Sequence, residues 1–277
     1  MTGIPDPETY YDEHDEKEWE RLESSLHGRL EWESTVEILR THLPETGHVL
    51  DAGGGAGRYT IWLAERGYEV TLVEPSAGQR AIAREKVAEH GLEESVTILE
   101  GDIRDLPLDS GRFDATLCLG GPLSHVLEAD GRARSVRELE RVTAAGRPVF
   151  VSVMGLLNWL TLLLVTPRHL DLLPELAESG DYDVDLLGDR EPLFTETHFF
   201  RADELESLLA DADLSVESVV GLEGLASVYS AGPLREEAAR RSDAEFDRIR
   251  RLVDHQRNDR TVADMSAHML AVCHVQK

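Results

Sequence analysis

In "VLDAGGGAGRYTIWLA", Val49 to Ala64, an apolar run closes on an acid and four glycines follow before a helix-like run begins. A strand ending in Asp51, then Gly53, Gly55 and Gly57 at alternate positions, lets backbone N–H groups approach a ligand with no side chain in the way. A dinucleotide site spaces its glycines G-x-G-x-x-G so that a pyrophosphate can rest on the helix. Here the spacing is G-x-G-x-G, and Arg58 stands where the third dinucleotide glycine would fall. The turn therefore suits a ligand without a pyrophosphate. Two more acids follow apolar runs: Glu74 closes "YEVTLVEPS", and Asp102 opens the turn in "GDIRDLP". Taken singly, each acid has a plainer reading, with Asp51 capping its turn, Glu74 on the surface and Asp102 as turn chemistry.

From His48 onward short apolar runs alternate with amphipathic ones, the rhythm of a parallel sheet covered on both faces. The pattern predicts strands at His48–Asp51, Glu69–Glu74, Val96–Glu100, Phe113–Leu119, Pro148–Val153, Ser215–Gly221 and Ala267–Val275. Helices are expected at Tyr59–Arg66, Gln79–His90, Arg132–Thr143 and Ala202–Ala212, the last carrying Leu205, Leu208 and Leu209 on one face. Two regions break the alternation. In residues 1–45, Trp19, Leu22, Leu26 and Leu30 recur at helical spacing. Residues 156–200 join an apolar helix-like run to Pro167, Pro174, Pro192 and the cluster "FTETHFF". Insertions of that length are seldom mere connectors, so both regions are candidate lids. The chain divides into an N-terminal helical lid (1–45), a ligand-binding core (46–155), a helical cap (156–200) and a segment completing the sheet (201–277).

On these residues the chain resembles the class I S-adenosylmethionine-dependent methyltransferases, whose first motif, acid-x-G-x-G-x-G, is matched from Asp51 to Gly57. The series continues in order through Glu74, Asp102 and the fourth-strand stretch "GRFDATLCLGGPLSHV". The resemblance implies an α/β, Rossmann-like fold with a seven-stranded, mostly parallel sheet and helices on both faces. It implies S-adenosyl-L-methionine as cofactor, with Glu74 accepting from both ribose hydroxyls and Asp102 taking the adenine amino group against Ile103. The rest of the implied cofactor site is Tyr11, Asp51, Gly53, Gly55, Gly57, Tyr59, Pro75, Leu119 and Gly120. Asp114 is read as supporting the fourth-strand loop.

Methyl transfer from a sulfonium is an in-line displacement, so the protein chiefly positions the reactants and excludes water. A base is needed only if the acceptor must lose a proton. His125, in "GGPLSH" beyond the fourth strand, is the candidate catalytic residue, though a histidine there could equally cap the turn. His198 is the runner-up, with Phe199 and Phe200 as possible acceptor walls or simply core. Tyr10 and Tyr11 resemble tyrosines that close over the methionine end, where aromatic faces suit a sulfonium. No metal site is expected, since the eleven histidines are scattered and no CxxC is present.

The formal net charge is -26, from 54 acidic and 28 basic residues, of which only Lys17, Lys86 and Lys277 are lysines. Such a surface repels phosphate backbones, so a small-molecule acceptor is expected and nucleic acid is not. Acids spread along the chain suit a salt-rich medium, where ions screen self-repulsion. Cys118 and Cys273, each in an apolar run, are read as buried strand thiols suited to a cytoplasm. The start of the chain is acidic rather than leader-like, and the longest apolar run, Leu156 to Val165, is short of the roughly 20 residues that span a bilayer. Two rival readings stay open: a nicotinamide-dependent oxidoreductase, and a non-catalytic module that binds S-adenosylmethionine.

Overall fold

A computed structural model describes residues 4–12, 17–166, 169–230 and 232–277; Pro167 lies outside them. Its centre is a seven-stranded sheet made of β1 (His48–Ala52), β2 (Glu69–Glu74), β3 (Val96–Glu100), β4 (Ala115–Cys118), β5 (Pro148–Met154), β8 (Leu214–Gly221) and β9 (His268–Val275). The order is β3-β2-β1-β4-β5-β9-β8, and β9 alone runs antiparallel to its neighbours. The expected mostly parallel sheet is therefore present. A separate two-stranded piece pairs β6 (Asp181–Tyr182) with β7 (Thr197–His198).

Central strands read as unbroken apolar runs because both of their faces are covered. One face packs Leu50, Val73 and Val151 against α6 (Ala129–Val142) and α10 (Ala202–Ala210). The other packs Val49, Val70 and Phe150 against α3 (Leu26–His42) and α4 (Arg58–Ala64). On α6 the apolar stripe Val136, Leu139 and Val142 faces the sheet, while four arginines among its fourteen residues leave the rest polar. α5 (Ala77–Glu89) begins at Ser76, whose hydroxyl accepts from the N–H of Gln79 as a cap. After β1 the chain winds outward to β2 and β3, then crosses back to β4 beside β1. The gap between the carboxyl ends of β1 and β4 is thus a topological switch point, where open α/β sheets receive ligands.

Three excursions gather over that end of the sheet. The first is N-terminal: α1 (Pro7–Asp12), α2 (Lys17–Arg21) and the start of α3, which Ser25 caps by accepting from the N–H of Gly28. Asp12 fixes α1 in place, its Oδ1 accepting from Ser76 Oγ (2.5 Å) and from the N–H of Gly78 (3.0 Å). The second follows β5, with α7 (Leu156–Val165), α8 (Leu173–Ser179) and α9 (Val184–Leu187) around their own apolar cluster of Leu163, Leu176, Tyr182 and Phe199. The third lies between β8 and β9 and was expected only to complete the sheet. It holds α11 (Gly232–Ala238), α12 (Asp243–Gln256) and α13 (Arg260–Asp264), and α12 packs Phe246 and Val253 against Leu26 and Leu30 of α3. Among the described residues no helix is long and apolar enough to cross a membrane.

Candidate active site

At the switch point lies a cavity of about 370 Å³, walled by Gly53, Gly54, Gly55, Glu74, Asp102, Ile103 and Gly120 together with side chains from the N-terminal excursion. Gly53 sits at φ +72°, and a Cβ there would meet Pro122 at 2.6 Å, so the turn is closed to any other residue without rearrangement. Glu74, buried at the end of β2, accepts from the N–H of Gly55 (3.0 Å, Oε2) and of Ser76 (2.9 Å, Oε1). Each oxygen keeps a lone pair for a ligand hydroxyl. Burial pushes this carboxyl up to about 7, against the pull of those two N–H groups. Beside it Gln79 donates its Nε2 to the carbonyl of Tyr11 (2.8 Å), while Gln79 Oε1 is buried with no partner. An orphan acceptor in the wall of a cavity fits a ligand that brings a donor.

Most of the expected cofactor residues meet here: Tyr11, Gly53, Gly55, Tyr59, Glu74, Pro75, Asp102, Ile103, Leu119 and Gly120 all line this cavity, as does His125. Two do not. Asp51 lies beneath the turn, accepting from Thr60 Oγ1 at 2.7 Å, and a Cβ on Gly54 would strike its carboxylate. Burial pushes Asp51 up to about 6, and its Oδ1 is unpartnered. Gly57, at φ +85°, faces Ala83 and Leu72, so its bareness serves packing between α4, α5 and β2. Asp102 reaches the cavity with both oxygens already taken by Arg104, whose Nε donates at 2.9 and 3.0 Å and whose Nη2 donates at 2.5 Å. Asp114 was read as supporting the loop after β4, but its contacts lie at the other end of the sheet, where it accepts from the N–H of His48 (3.1 Å) and pairs with Arg147.

His125 is held at both nitrogens. The carbonyl of Glu196 can only accept, so Nδ1 carries the hydrogen (3.0 Å), and Nε2 then accepts from the hydroxyl of Tyr11 at 3.0 Å. Burial pulls His125 down to about 4, which keeps it neutral. It is placed to orient Tyr11 rather than to face a second ligand. His198 lies outside both cavities described here, its ring nitrogens on Asp181 (2.6 Å) and Glu204 (2.7 Å).

A second cavity, about 510 Å³, adjoins the first and shares Tyr11, Arg21 and Gly120 with it. Its apolar walls are Tyr10, Met154, Trp159, Leu162, Phe194 and Phe199, and Asn158, Ser230, His27 and His268 add polar atoms. Trp159 stacks on Phe199 (ring centroids 4.7 Å apart, 17° between planes), and its indole N–H is buried with no partner. Phe200, read as a possible wall beside Phe199, is core instead. Arg21 forks onto Glu31, with Nη1 at 2.5 Å and Nη2 at 3.0 Å. Arg21 and Trp159 had no signal in local spacing. Gln79 could have been found as a polar residue in the first turn of the helix after Glu74.

Residues 49–146 match the family model described as a methyltransferase domain. Methyltransferase GfsG of Streptomyces halstedii is 29% identical over 153 residues, covering 50% of this chain and 54% of that protein. Ribosomal RNA small subunit methyltransferase C of Alcanivorax borkumensis is 33% identical over 137 residues, 48% of this chain and 38% of that protein. The chain thus spans about half or less of the length of these curated relatives. Among solved structures, a protein from Methanosarcina mazei described as a SAM-dependent methyltransferase superposes with a TM-score of 0.60 at 20% identity, over 86% of this chain and 97% of that one.

Proposed function

We propose that this chain, a class I S-adenosylmethionine-dependent methyltransferase by its domain and fold, moves a methyl group from S-adenosylmethionine in the first cavity to a small molecule in the second. The observation that carries this reading is the common wall: Tyr11, Arg21 and Gly120 line both cavities, so a group projecting from one ligand meets the other. Residues of the first cavity fit the cofactor part by part. Glu74 and the orphan Gln79 Oε1 accept from the ribose hydroxyls. Ile103, with the Asp102–Arg104 pair, edges the purine, and Arg21 offers a guanidinium to the methionine carboxylate.

When bound, the cofactor supplies a methyl group on a sulfonium, which the acceptor attacks in line with the departing sulfur. The chain's share is to hold both partners in line and keep water out. If the acceptor loses a proton, Tyr11 is the group at the shared wall that can take part, its hydroxyl polarised by neutral His125. Trp159 N–H and Asn158 give an acceptor oxygen its hydrogen bonds, and the aromatic walls favour a largely apolar body. The charge of -26 disfavours a nucleic acid acceptor and suits work in a salt-rich cytoplasm.

Calorimetry in molar salt on the full chain, with S-adenosylmethionine and S-adenosylhomocysteine, tests the reading directly. Micromolar binding of both is expected, together with S-adenosylhomocysteine release once apolar hydroxylated or amino acceptors are supplied. No binding at high micromolar cofactor overturns it. Binding of both without turnover on a broad acceptor panel would favour the non-catalytic module.

A further inference from the structure

Four side chains from distant parts of the chain converge on the wall of the second cavity. His27 and Glu31 stand one turn apart on α3, Glu223 follows β8, and His268 opens β9. One ligand atom from each lies within 4.8 Å of all the others. Glu223 Oε1 is 3.7 Å from His27 Nε2, and Glu31 Oε2 is 3.6 Å from His268 Nδ1. Neighbouring ligands at about 2.1 Å from one tetrahedral ion stand about 3.4 Å apart, close to both values. A third pair, His268 Nδ1 and Glu223 Oε1, is a direct hydrogen bond of 2.7 Å and must open by about 0.7 Å to admit an ion.

The surroundings resemble those of ligands held from behind. Glu223 Oε2 accepts from Ser266 Oγ and from the N–H of His268, both at 2.9 Å, which leaves Oε1 turned to the cluster. Arg21 donates to both oxygens of Glu31, Nη1 to Oε2 and Nη2 to Oε1, so Glu31 Oε2 would be shared between Arg21 and the ion. Glu31 and Glu223 are 1% and 0% exposed, and buried carboxylates persist where they are paired or bind metal. His27 differs, since Nε2 faces Glu223 and its other nitrogen, Nδ1, is buried with no partner. His27 and His268 also form part of the cavity wall, so the cluster has an open side.

We propose that His27, Glu31, Glu223 and His268 bind one divalent transition ion, which takes a fifth ligand from the second cavity. Two imidazole nitrogens with two carboxylate oxygens suit borderline ions such as Zn(II), Co(II) or Fe(II) better than Mg(II) or Ca(II). The ion binds an oxygen donor of the small molecule in that cavity, a hydroxyl or carboxylate. Only this last point rests on the proposed function. The competing arrangement is ion-free, with Arg21 and a protonated His268 balancing the two carboxylates. Ligands from α3 and from both ends of the β8–β9 excursion have no common spacing, which is why no metal site is visible in the sequence.

The test is titration of chelator-treated full-length protein with Co(II), followed by its visible absorption, and with Zn(II) in competition. One equivalent per chain at micromolar affinity or better is expected. His268→Ala and, separately, His27→Ala should weaken it at least 100-fold while S-adenosylmethionine binding is kept, which also shows that the variants fold. Absence of stoichiometric binding to the wild type, or equal binding by folded His27→Ala and His268→Ala chains, overturns the site. Loss of cofactor binding with metal binding intact would instead refute the proposed function alone.

Discussion

The two adjoining cavities are built on different principles. The first is walled by backbone and by groups at strand ends, and the crossing from β1 to β4 beside it puts them there. The second is walled chiefly by side chains on three excursions, with Trp159 and Phe194 from one, Tyr10 and His27 from another and Ser230 from the third, joined by Met154 of β5 and His268 of β9. A wall set by sheet topology can change little without loss of the sheet. Walls carried on excursions can change residue by residue. On the proposed function, the first cavity is the fixed half and the second the half that selects the acceptor.

Replacing Glu74 breaks the fixed half most directly. On the proposed function, Glu74→Ala removes charge-assisted hydrogen bonding to the ribose, worth about 1.5–3 kcal/mol per bond, so the cofactor Kd should rise by about 100-fold. Calorimetry checks this, and binding of a small molecule in the second cavity should change little. A tenfold effect or less would show that ribose is not held at β2.

Acidity separates the cavities next. Burial lifts Glu74 from 4.5 to about 7 and Asp51 from 3.8 to about 6. Carboxyls raised in the fold are protonated there over a range where the unfolded chain is ionised. Their stabilisation is complete below about pH 4 and is lost as pH rises through 6 and 7. The cofactor wants Glu74 ionised, so its binding runs the other way, weakening about tenfold per pH unit below 7 with up to one proton released. Thermal melts of the empty protein and calorimetry in two buffers of different ionisation enthalpy read these opposite slopes. Parallel slopes would place the ionised group elsewhere.

In the second cavity the sensitive residue is Trp159. Trp159→Ala deletes the ring stacked on Phe199 and should raise an acceptor's KM by about tenfold, with the cofactor Kd within about twofold. Trp159→Phe keeps most of the surface and removes the unpartnered N–H, so an effect between the two would assign that donor to the acceptor. If both substitutions leave KM unchanged, the acceptor does not sit there.

Legibility follows the same divide. β2 runs from end to end as its apolar run predicts, because a strand covered on both faces writes its limits into composition, and the edge strand β3 keeps its predicted ends although none of its residues is buried. β4 is shorter than "FDATLCL" suggests, since Phe113 makes only an isolated bridge to Thr143. The helices after β8 were missed although Phe246, Ile249 and Val253 already mark one face of α12. In the site, Glu74 and Asp102 could be placed because strand ends place them. Asp51 and Gly57 share the motif without touching the cavity, since one motif both shapes a turn and supports it from below. Arg21, His27 and Trp159 depend on how the excursions fold over the sheet, and no local spacing encodes that.

The smallest expected effect falls on a residue that the motif ranks beside Glu74. Asp102 differs from Glu74 in what already holds it: Glu74 meets two backbone N–H groups, whereas Asp102 is gripped by the Arg104 guanidinium and its N–H. Arg104 holds the Asp102 carboxyl below its ordinary value despite partial burial. A purine amino group reaching it must share oxygens with a cation, so little affinity is gained there, and the exposed side of the pair weakens it further. Asp102→Asn, which keeps shape and an acceptor, should therefore change the cofactor Kd by less than about threefold. Arg104→Ala frees the carboxylate, and Asp102→Asn made in that background should cost about tenfold. Calorimetry on the four proteins of this cycle decides it, and a large loss in the first variant would show that Arg104 swings away when the cofactor binds.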